Sequence, residues 1–280
     1  MRNSVLVFLL LLISPFAARA QAEDNIWAFG YNAALDLNSG SPVALSGFMT
    51  MANEGTASIA DGDGNLLFYS AGQQVWNKDH DLMPNGTGIL GHSGSGTQSV
   101  AISKYPGSDS LYYLFTLENY ENIPWSTIGY LRYNIIDMSL DGGLGDVITT
   151  EKNIVLDSFM GEKMVVVNDD GCGYWLVSYN YETSAYHSYR ITEEGIDLPV
   201  ISSGASACGI VGEIKISPDR SKIGNAAYIE GGVEVASFDV STGSVSDFIS
   251  LGAMSPYGVG FSPNSEVPIH QQCGSCISMT

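Results

Sequence analysis

The sequence has little positive charge. Its 280 residues contain 11 lysines and arginines against 30 aspartates and glutamates, which gives a net charge of −19. A surface this acidic repels phosphate backbones, so nucleic acid is excluded as a partner. Charged residues of both signs make up only 15% of the chain and hydrophobic residues 45%, a proportion typical of a folded domain and too apolar for a disordered one.

Long apolar segments are also missing, apart from a short one at the start. Arg2 supplies a positive charge, residues 5–13 are all apolar, and Ala18-Arg19-Ala20 has the small-residue pattern of a cleavage site. This is the layout of a secretory signal peptide, and its apolar run is too short to cross a bilayer. We therefore predict that residues 1–20 are a signal peptide cleaved near Ala20. The mature chain is expected to be secreted or at the cell surface, with no membrane span.

Helical periodicity is absent from the remaining sequence, where short β-rich runs alternate with clusters of Gly, Asn, Asp and Ser. An apolar strand that ends in a small or polar pair before a turn recurs at five places: Ile59, Ile102, Val167, Ile216 and Phe261. All but one of the intervals between these places lie in the mid-forties, and the exception is lengthened by insertions. An interval in the mid-forties is the period of a four-stranded propeller blade. The predicted fold class is all-β, a β-propeller with about five visible blade starts. A β-sandwich is the alternative, but it gives no reason for a fixed interval.

The repeat divides the chain into a propeller domain at residues 21–265 and an atypical tail at residues 266–280. In the tail, Pro268 falls where a strand must donate a backbone hydrogen bond, and polar residues follow it. We interpret the tail as the result of a truncation or a frameshift. The ring is therefore expected to be incomplete, with residues 25–37 as a closing strand for a blade that the chain lacks.

Several motifs resemble the propeller regions of large surface proteins of gliding bacteria. They lie at residues 25–36, 64–70, 75–80, 83–88, 96–99, 111–116 and 137–147. Ser217-Pro218-Asp219 is a more general blade mark, similar to those of lactonase-like and WD-repeat-like propellers. Over residues 25–265, the resemblance implies a propeller in an exported protein of cell-surface adhesion and gliding motility, carried by type IX secretion. It implies no catalytic residues.

Aromatic residues are the candidates for ligand contact. Trp76 and Trp175 lie in predicted strands and are expected to pack between blades. Trp125 lies beside Pro124 in an insertion at residues 118–127, so we predict Trp125, with Tyr120 of the same insertion, as ligand-binding residues. The predicted function is that of an exported binding or adhesion module, which recognises a surface glycan or a protein partner without catalysis. A structural spacer in a surface adhesin is a further reading.

The alternative function is that of a lactonase-like propeller hydrolase, with histidine and acidic residues at the channel mouth. His80, His92 and His187 are the histidines outside the tail, and no motif in the sequence assigns any of them a catalytic acid as a partner. We expect them in solvated loops or lining the pore, and we predict no catalytic residue. A histidine that meets two or more carboxylates at one mouth of the channel would favour the hydrolase, whereas scattered histidines would favour the binding module.

Metal and disulfide signals are weak. Residues 61–65 begin like a calcium loop, but Leu66 and Gly72 stand where the EF-hand pattern needs Gly and Glu, so a hairpin turn is favoured. We predict no metal and no cofactor; calcium is the one ion that the sequence suggests, without support. Cys172 and Cys208 are a candidate disulfide pair in an exported chain.

Overall fold

In the computed structural model the described residues are 22–92, 95–118, 128–205, 209–228, 231–252 and 255–266, together with the backbone of 268–272 and 275–278. These residues form 24 strands in six antiparallel sheets, here called sheets I to VI in chain order. Three short 3-10 helices accompany them, at Ala22–Asp24, Asp141–Gly143 and Thr149–Glu151. No helix in the described ranges is long and apolar enough to span a bilayer.

The first three sheets span residues 26–157. Sheet I contains β1 (Ile26–Phe29), β2 (Ala33–Asp36) and β3 (Val43–Leu45). Sheet II contains β4 (Ala57–Ala60), β5 (Leu66–Ser70), β6 (Gln74–Asn77) and β7 (Leu82–Thr87). Sheet III contains β8 (Val100–Lys104), β9 (Leu111–Leu117), β10 (Leu131–Asp137), β11 (Asp146–Val147) and β12 (Ile154–Asp157).

The last three sheets span residues 160–278. Sheet IV contains β13 (Met160–Asn168), β14 (Tyr174–Asn180), β15 (Ala185–Thr192), β16 (Gly195–Ile196) and β17 (Val200–Ser203). Sheet V contains β18 (Ile214–Ile216), β19 (Lys222–Ala226), β20 (Val233–Asp239) and β21 (Ser244–Ser250). Sheet VI contains β22 (Pro256–Phe261), β23 (Pro268–Gln272) and β24 (Ser275–Ser278).

Sheets II to VI are arranged as propeller blades. In each of them the first strand lies at one edge of the sheet, and the strands that follow are added outward. The first strands β4, β8, β13, β18 and β22 contact one another in that order, so they form the inner ring. These are the five strands that the repeat placed at the blade starts, and the predicted all-β propeller fold is confirmed.

The core lies between the blades, because each strand alternates side chains between the two faces of its sheet. Trp175 of sheet IV is 3% exposed and packs with Ile223 and Phe238 of sheet V. Trp76 of sheet II is 6% exposed and packs against the residues of sheet I. The prediction that both tryptophans are packing residues is confirmed.

The two ends of the described chain differ from the sequence-based expectation. Residues 25–37 do not form a single closing strand: β1 and β2 pair as a hairpin, and β3 completes a three-stranded sheet. Beyond residue 266, β23 pairs with β22, and Pro268 stands opposite Phe261. The backbone of the tail thus extends sheet VI, although the proposed domain boundary and the truncation stay predictions.

Candidate functional site

An open cavity of about 700 Å³, here called the channel, lies between the inner strands. Its wall is formed by β1, β4, β8 and β13 together with the start of β18. We call the end where the inner strands begin the upper mouth and the end where they finish the lower mouth. A cavity of this size at the centre of the fold is in the range of small-ligand sites, so the channel is the candidate functional site.

Two aromatic side chains are exposed on the channel wall. Trp27 is 55% exposed and Phe29 is 42% exposed, and both line the channel. The alternation of β1 explains this, because Ile26 and Ala28 point into the core and leave the odd-numbered residues on the other face. The indole nitrogen of Trp27 donates to the carbonyl of Asp24, 2.8 Å away, which restrains the ring.

The loops at the upper mouth are held together by backbone hydrogen bonds from blade to blade. The N–H of Gly55 donates to Gly96 at 3.0 Å, that of Gln98 to Glu162 at 3.0 Å, and that of Glu162 to Ile210 at 3.0 Å. We call these five residues the collar. A Cβ on Gly55 would lie 2.5 Å from the Gly96 carbonyl, so this close approach requires glycine. The collar fixes the position of the side chains around the mouth.

A hydroxyl and carboxylate cluster lies within this frame. Tyr257 of β22 donates a short hydrogen bond from its phenol to Glu54, which precedes β4. Thr97, which precedes β8, donates to the same phenol at 3.2 Å. Burial, followed by the hydrogen bond to Glu54, raises the pKa of Tyr257, so the phenol stays protonated at neutral pH. Three different blades thus contribute polar groups to one mouth.

His92 lies just behind this cluster. It is 1% exposed, and its Nε2 is 3.1 Å from the carbonyl of Gly55. Burial lowers the pKa of His92, against the opposing effects of that carbonyl and the charge of Glu54, so the imidazole is neutral at neutral pH. The expectation of a solvated or pore-lining histidine is wrong here, because the collar covers the ring.

The polar groups along the channel are predominantly acidic. Glu213 and Lys215 of the β18 segment and Asp24 below them line the wall. At the lower mouth, Glu23 forms an ion pair with Lys104. Burial and then the charge of Glu23 raise the pKa of Asp24. The channel therefore disfavours anionic ligands.

His187 is placed outside the channel. It lies on β15, is 6% exposed, and its Nδ1 is 2.7 Å from the carboxylate of Asp157 on β12. Tyr189 donates a short hydrogen bond to the same carboxylate. Among the described residues, the Nε2 of His187 has no hydrogen-bond partner. The expectation of a loop or pore position is wrong for His187 too, because the histidine joins sheets III and IV.

The His187–Asp157 contact predicts a pH effect on stability. Burial acts to raise the pKa of Asp157, but hydrogen bonds from His187, Tyr189 and the backbone of Ser158, with the charge of His187, hold it below its ordinary value. This stabilisation is present above a pH of about 4 and is lost as the pH falls through the lowered pKa. We expect Asp157→Asn to lower the free energy of unfolding at pH 7 by about 1–3 kcal/mol. Urea titrations at pH 7 and pH 3 check this, since the difference from wild type should shrink at pH 3; an equal difference at both would contradict it.

The residues predicted from sequence are only partly covered by the structure. Trp125, Tyr120 and Cys208 lie outside the described residues, so the ligand contact and the disulfide stay predictions. Cys172 is exposed, in the turn between β13 and β14.

The remaining candidates have clear positions. His80 contacts Tyr69, its Nδ1 lying 3.2 Å from the phenol oxygen. Asp61 begins the turn between β4 and β5, and its carboxylate accepts from the backbone of Asp63 and Asn65, as favoured for a hairpin. In the described part of the chain, no group of three or more His, Cys, Asp or Glu side chains could hold a metal ion.

Several solved structures are similar in fold to this chain. A candidate 6-phosphogluconolactonase from Bacteroides fragilis matches with a TM-score of 0.51 and 12% identity, over 91% of this chain and 78% of that one. A candidate 6-phosphogluconolactonase from Bacteroides uniformis matches with a TM-score of 0.49 and 11% identity, over 86% and 70%.

A gluconolactonase from Xanthomonas campestris matches with a TM-score of 0.41 and 13% identity, over 80% of this chain and 71% of that one. No family model matches the chain, and no curated protein matches it in sequence. At these identities the similarity shows the fold alone, that of a β-propeller.

Proposed function

We propose that the chain is a binding module whose central channel takes a neutral, hydroxyl-rich ligand, with a surface glycan as the class. The observation that carries the proposal is the exposed indole of Trp27 on the channel wall. An exposed aromatic ring inside a cavity offers a flat apolar surface with a polar edge, which suits the face of a sugar ring. Phe29 extends the same surface toward the upper mouth.

The polar groups near this surface suit hydroxyl groups. The carboxylate of Glu54 accepts hydrogen bonds, and the hydroxyls of Tyr257 and Thr97 both donate and accept them. Asp24 and Glu213 outnumber Lys215 among the charged residues that line the channel. Glu54 adds a carboxylate near the upper mouth, so a ligand carrying phosphate is disfavoured. A neutral sugar meets no such penalty.

The cellular setting belongs to the same proposal. The apolar leader at residues 1–20 supports export with cleavage near Ala20, and the resemblance to surface proteins of gliding bacteria supports adhesion and type IX secretion. In that setting, the partner is a glycan or a protein on a surface outside the cell. A protein partner is an outcome of the test below.

Hydrolysis of a neutral sugar lactone at the same mouth is the second candidate. The names of the structural neighbours favour it over the binding module, and Glu54 with Tyr257 could supply a base and a hydrogen-bond donor. The histidines favour binding alone: His80, His92 and His187 lie on separate parts of the fold, and each contacts a different partner. These neighbours are at most 13% identical to this chain, so we place binding first.

Replacing Trp27 with alanine tests the proposal. We expect the variant to bind neutral oligosaccharides at least about tenfold more weakly than wild type, because stacking on an aromatic ring contributes roughly 1.4 kcal/mol or more. The measurement is a glycan array of neutral oligosaccharides, followed by calorimetry with the best ligand. Trp27→Phe should restore part of the affinity, since it keeps an aromatic face.

Leu198→Ala is the matched control, because Leu198 is 92% exposed and is not among the residues that line the channel. Equal affinity of wild type and Trp27→Ala for the best oligosaccharide would contradict the proposal. So would a chain that binds a protein partner but no sugar on the array. The same preparation is incubated with glucono-δ-lactone; turnover that Glu54→Gln abolishes would replace binding alone with the second candidate.

A further inference from the structure

A second cavity, separate from the channel, lies between sheets III and IV. Its volume is about 620 Å³, and its wall combines tyrosine, isoleucine and leucine side chains with two glutamates. We call it the tyrosine groove and define it by Tyr105, Tyr113, Tyr133, Glu151 and Glu194. The groove opens to solvent, since Glu151 and Glu194 are exposed, and its volume is that of a small-molecule site.

Two of the tyrosine rings are stacked, and the third meets one of them edge to face. Tyr105 stacks on Tyr113 with a centroid distance of 5.0 Å and an interplanar angle of 12°. Tyr133 meets Tyr113 edge to face, at 5.7 Å and 78°. Tyr113 is 3% exposed, whereas Tyr105 and Tyr133 are partly exposed, so they form the accessible wall. Rings in this arrangement present both faces and edges to one ligand.

The groove is negatively charged, and its lining contains no basic residue. Three cations that flank the groove have partners outside it: Lys152 donates to the carbonyl of Asn85 at 3.0 Å, Arg190 to Asp169 at 3.0 Å, and Arg132 to Glu118. The carboxylates of Glu151 and Glu194 are therefore not neutralised by the described lysines and arginines that flank the groove.

Burial, together with the neighbouring phenols and Glu151, raises the pKa values of Tyr113 and Tyr133. Both phenols thus stay protonated at neutral pH and can donate hydrogen bonds toward the acidic side of the groove. A ligand that suits this environment has an apolar body to contact the isoleucines and the tyrosine rings, and a positive charge to face the glutamates.

We propose that the tyrosine groove binds an organic cation with an apolar body, of the quaternary ammonium class. The faces of tyrosine rings attract such a cation through the ring quadrupole. A quaternary ammonium carries methyl groups in place of the N–H groups that keep a primary ammonium hydrated, so it leaves water more readily. The carboxylates add long-range attraction, while anions are repelled. The site is independent of the sugar site proposed for the channel, because the two cavities share no lining residue.

Choline and its neutral isostere 3,3-dimethylbutan-1-ol are the probes, added to the wild-type chain. We expect choline to bind with a dissociation constant at least tenfold lower than that of the isostere, measured by NMR titration up to 50 mM ligand. Glu151→Gln should raise the choline constant three- to tenfold and leave that of the isostere unchanged. Tyr133→Leu should weaken choline more than the isostere, because it keeps apolar volume and removes the ring.

Glu182→Gln is the control, because it removes the same charge from an exposed turn outside the groove. Equal dissociation constants for choline and its isostere would overturn the proposal, as would no choline binding at 50 mM. The proposal would also fail if Glu182→Gln raised the choline constant as much as Glu151→Gln does. Near-ultraviolet circular dichroism of each variant verifies that the groove is folded. Trp27→Ala should bind choline as wild type does, so failure of this site and failure of the channel site are distinguishable.

Discussion

Replacing Trp175 with alanine is expected to lower the free energy of unfolding by about 3–5 kcal/mol. The indole fills the space between sheets IV and V, and its nitrogen donates to the carbonyl of Val240, 2.8 Å away. Its ring also covers Gly243, where a Cβ would lie 2.4 Å from the ring. The substitution therefore leaves a cavity between two blades and an unmade hydrogen bond, and urea denaturation of the variant measures the cost.

Trp27→Ala is the matched control, because it makes the same chemical change at a tryptophan that is 55% exposed. That variant should differ from wild type by no more than about 0.5 kcal/mol. Similar losses for the two variants would contradict the assignment of Trp175 to the core and of Trp27 to the channel surface.

Lys163→Met is expected to lower the free energy of unfolding by about 3–5 kcal/mol. Lys163 lies on β13 and is fully buried, and its ammonium donates to Asn225 at 2.8 Å and to the carbonyl of Ala226 at 2.9 Å. Asn225 donates in turn to Tyr186, whose phenol donates to the buried carboxylate of Glu234. The network thus connects the ammonium of Lys163 to the carboxylate of Glu234. Without the lysine, the carboxylate stays in the core and loses this connection to a positive charge.

A double-mutant cycle with Glu234→Gln separates this effect from simple loss of packing. The double variant should lose less stability than the two single losses combined, because both groups belong to one hydrogen-bond network and the second substitution costs less once the first has disrupted it. Lys78→Met controls for the change in net charge, since Lys78 is exposed. A Lys163→Met variant as stable as wild type would contradict the description of this network.

The sequence predicts the blades well because their signals are local. Each inner strand ends in a polar turn, and one such turn, at Ser217-Pro218-Asp219, is held by a hydrogen bond of 2.7 Å from Ser217 to Asp219. Strand periodicity and turn residues are read over about ten positions, so the outward order of strands in sheets IV and V follows from them. The hairpin of β1 and β2 is equally local, since Gly30 and Asn32 adopt positive φ in its turn, but the expectation of a single closing strand over residues 25–37 overlooked that turn.

The channel site could not be predicted in the same way. Thr97 and Tyr257 are 160 positions apart in the chain, and only the arrangement of the blades brings them together with Glu54. Sequence patterning singled out Trp125 because it lies in an insertion. Trp27, in contrast, lies in a short β-strand, where exposure depends on which face the neighbouring blades cover.

The tyrosine groove and the burial of Lys163 could not be predicted from the sequence for a related reason. Tyr113 lies in the mostly apolar strand β9 and Tyr133 lies between Arg132 and Asn134 in β10, so no shared local pattern marks the face that borders a cavity. The sequence pattern of β13 does not decide whether the side chain of Lys163 faces the core or the solvent. Its burial depends on acceptors from sheet V, more than sixty positions later in the chain.

The most direct test of the channel as the ligand site is a crystal structure of the chain with its best neutral oligosaccharide bound. We expect a sugar ring stacked on the indole of Trp27, with its hydroxyls hydrogen-bonded to the carboxylate of Glu54 or the phenol of Tyr257. Sugar density only outside the channel, with the ring of Trp27 uncovered, would contradict the proposed function.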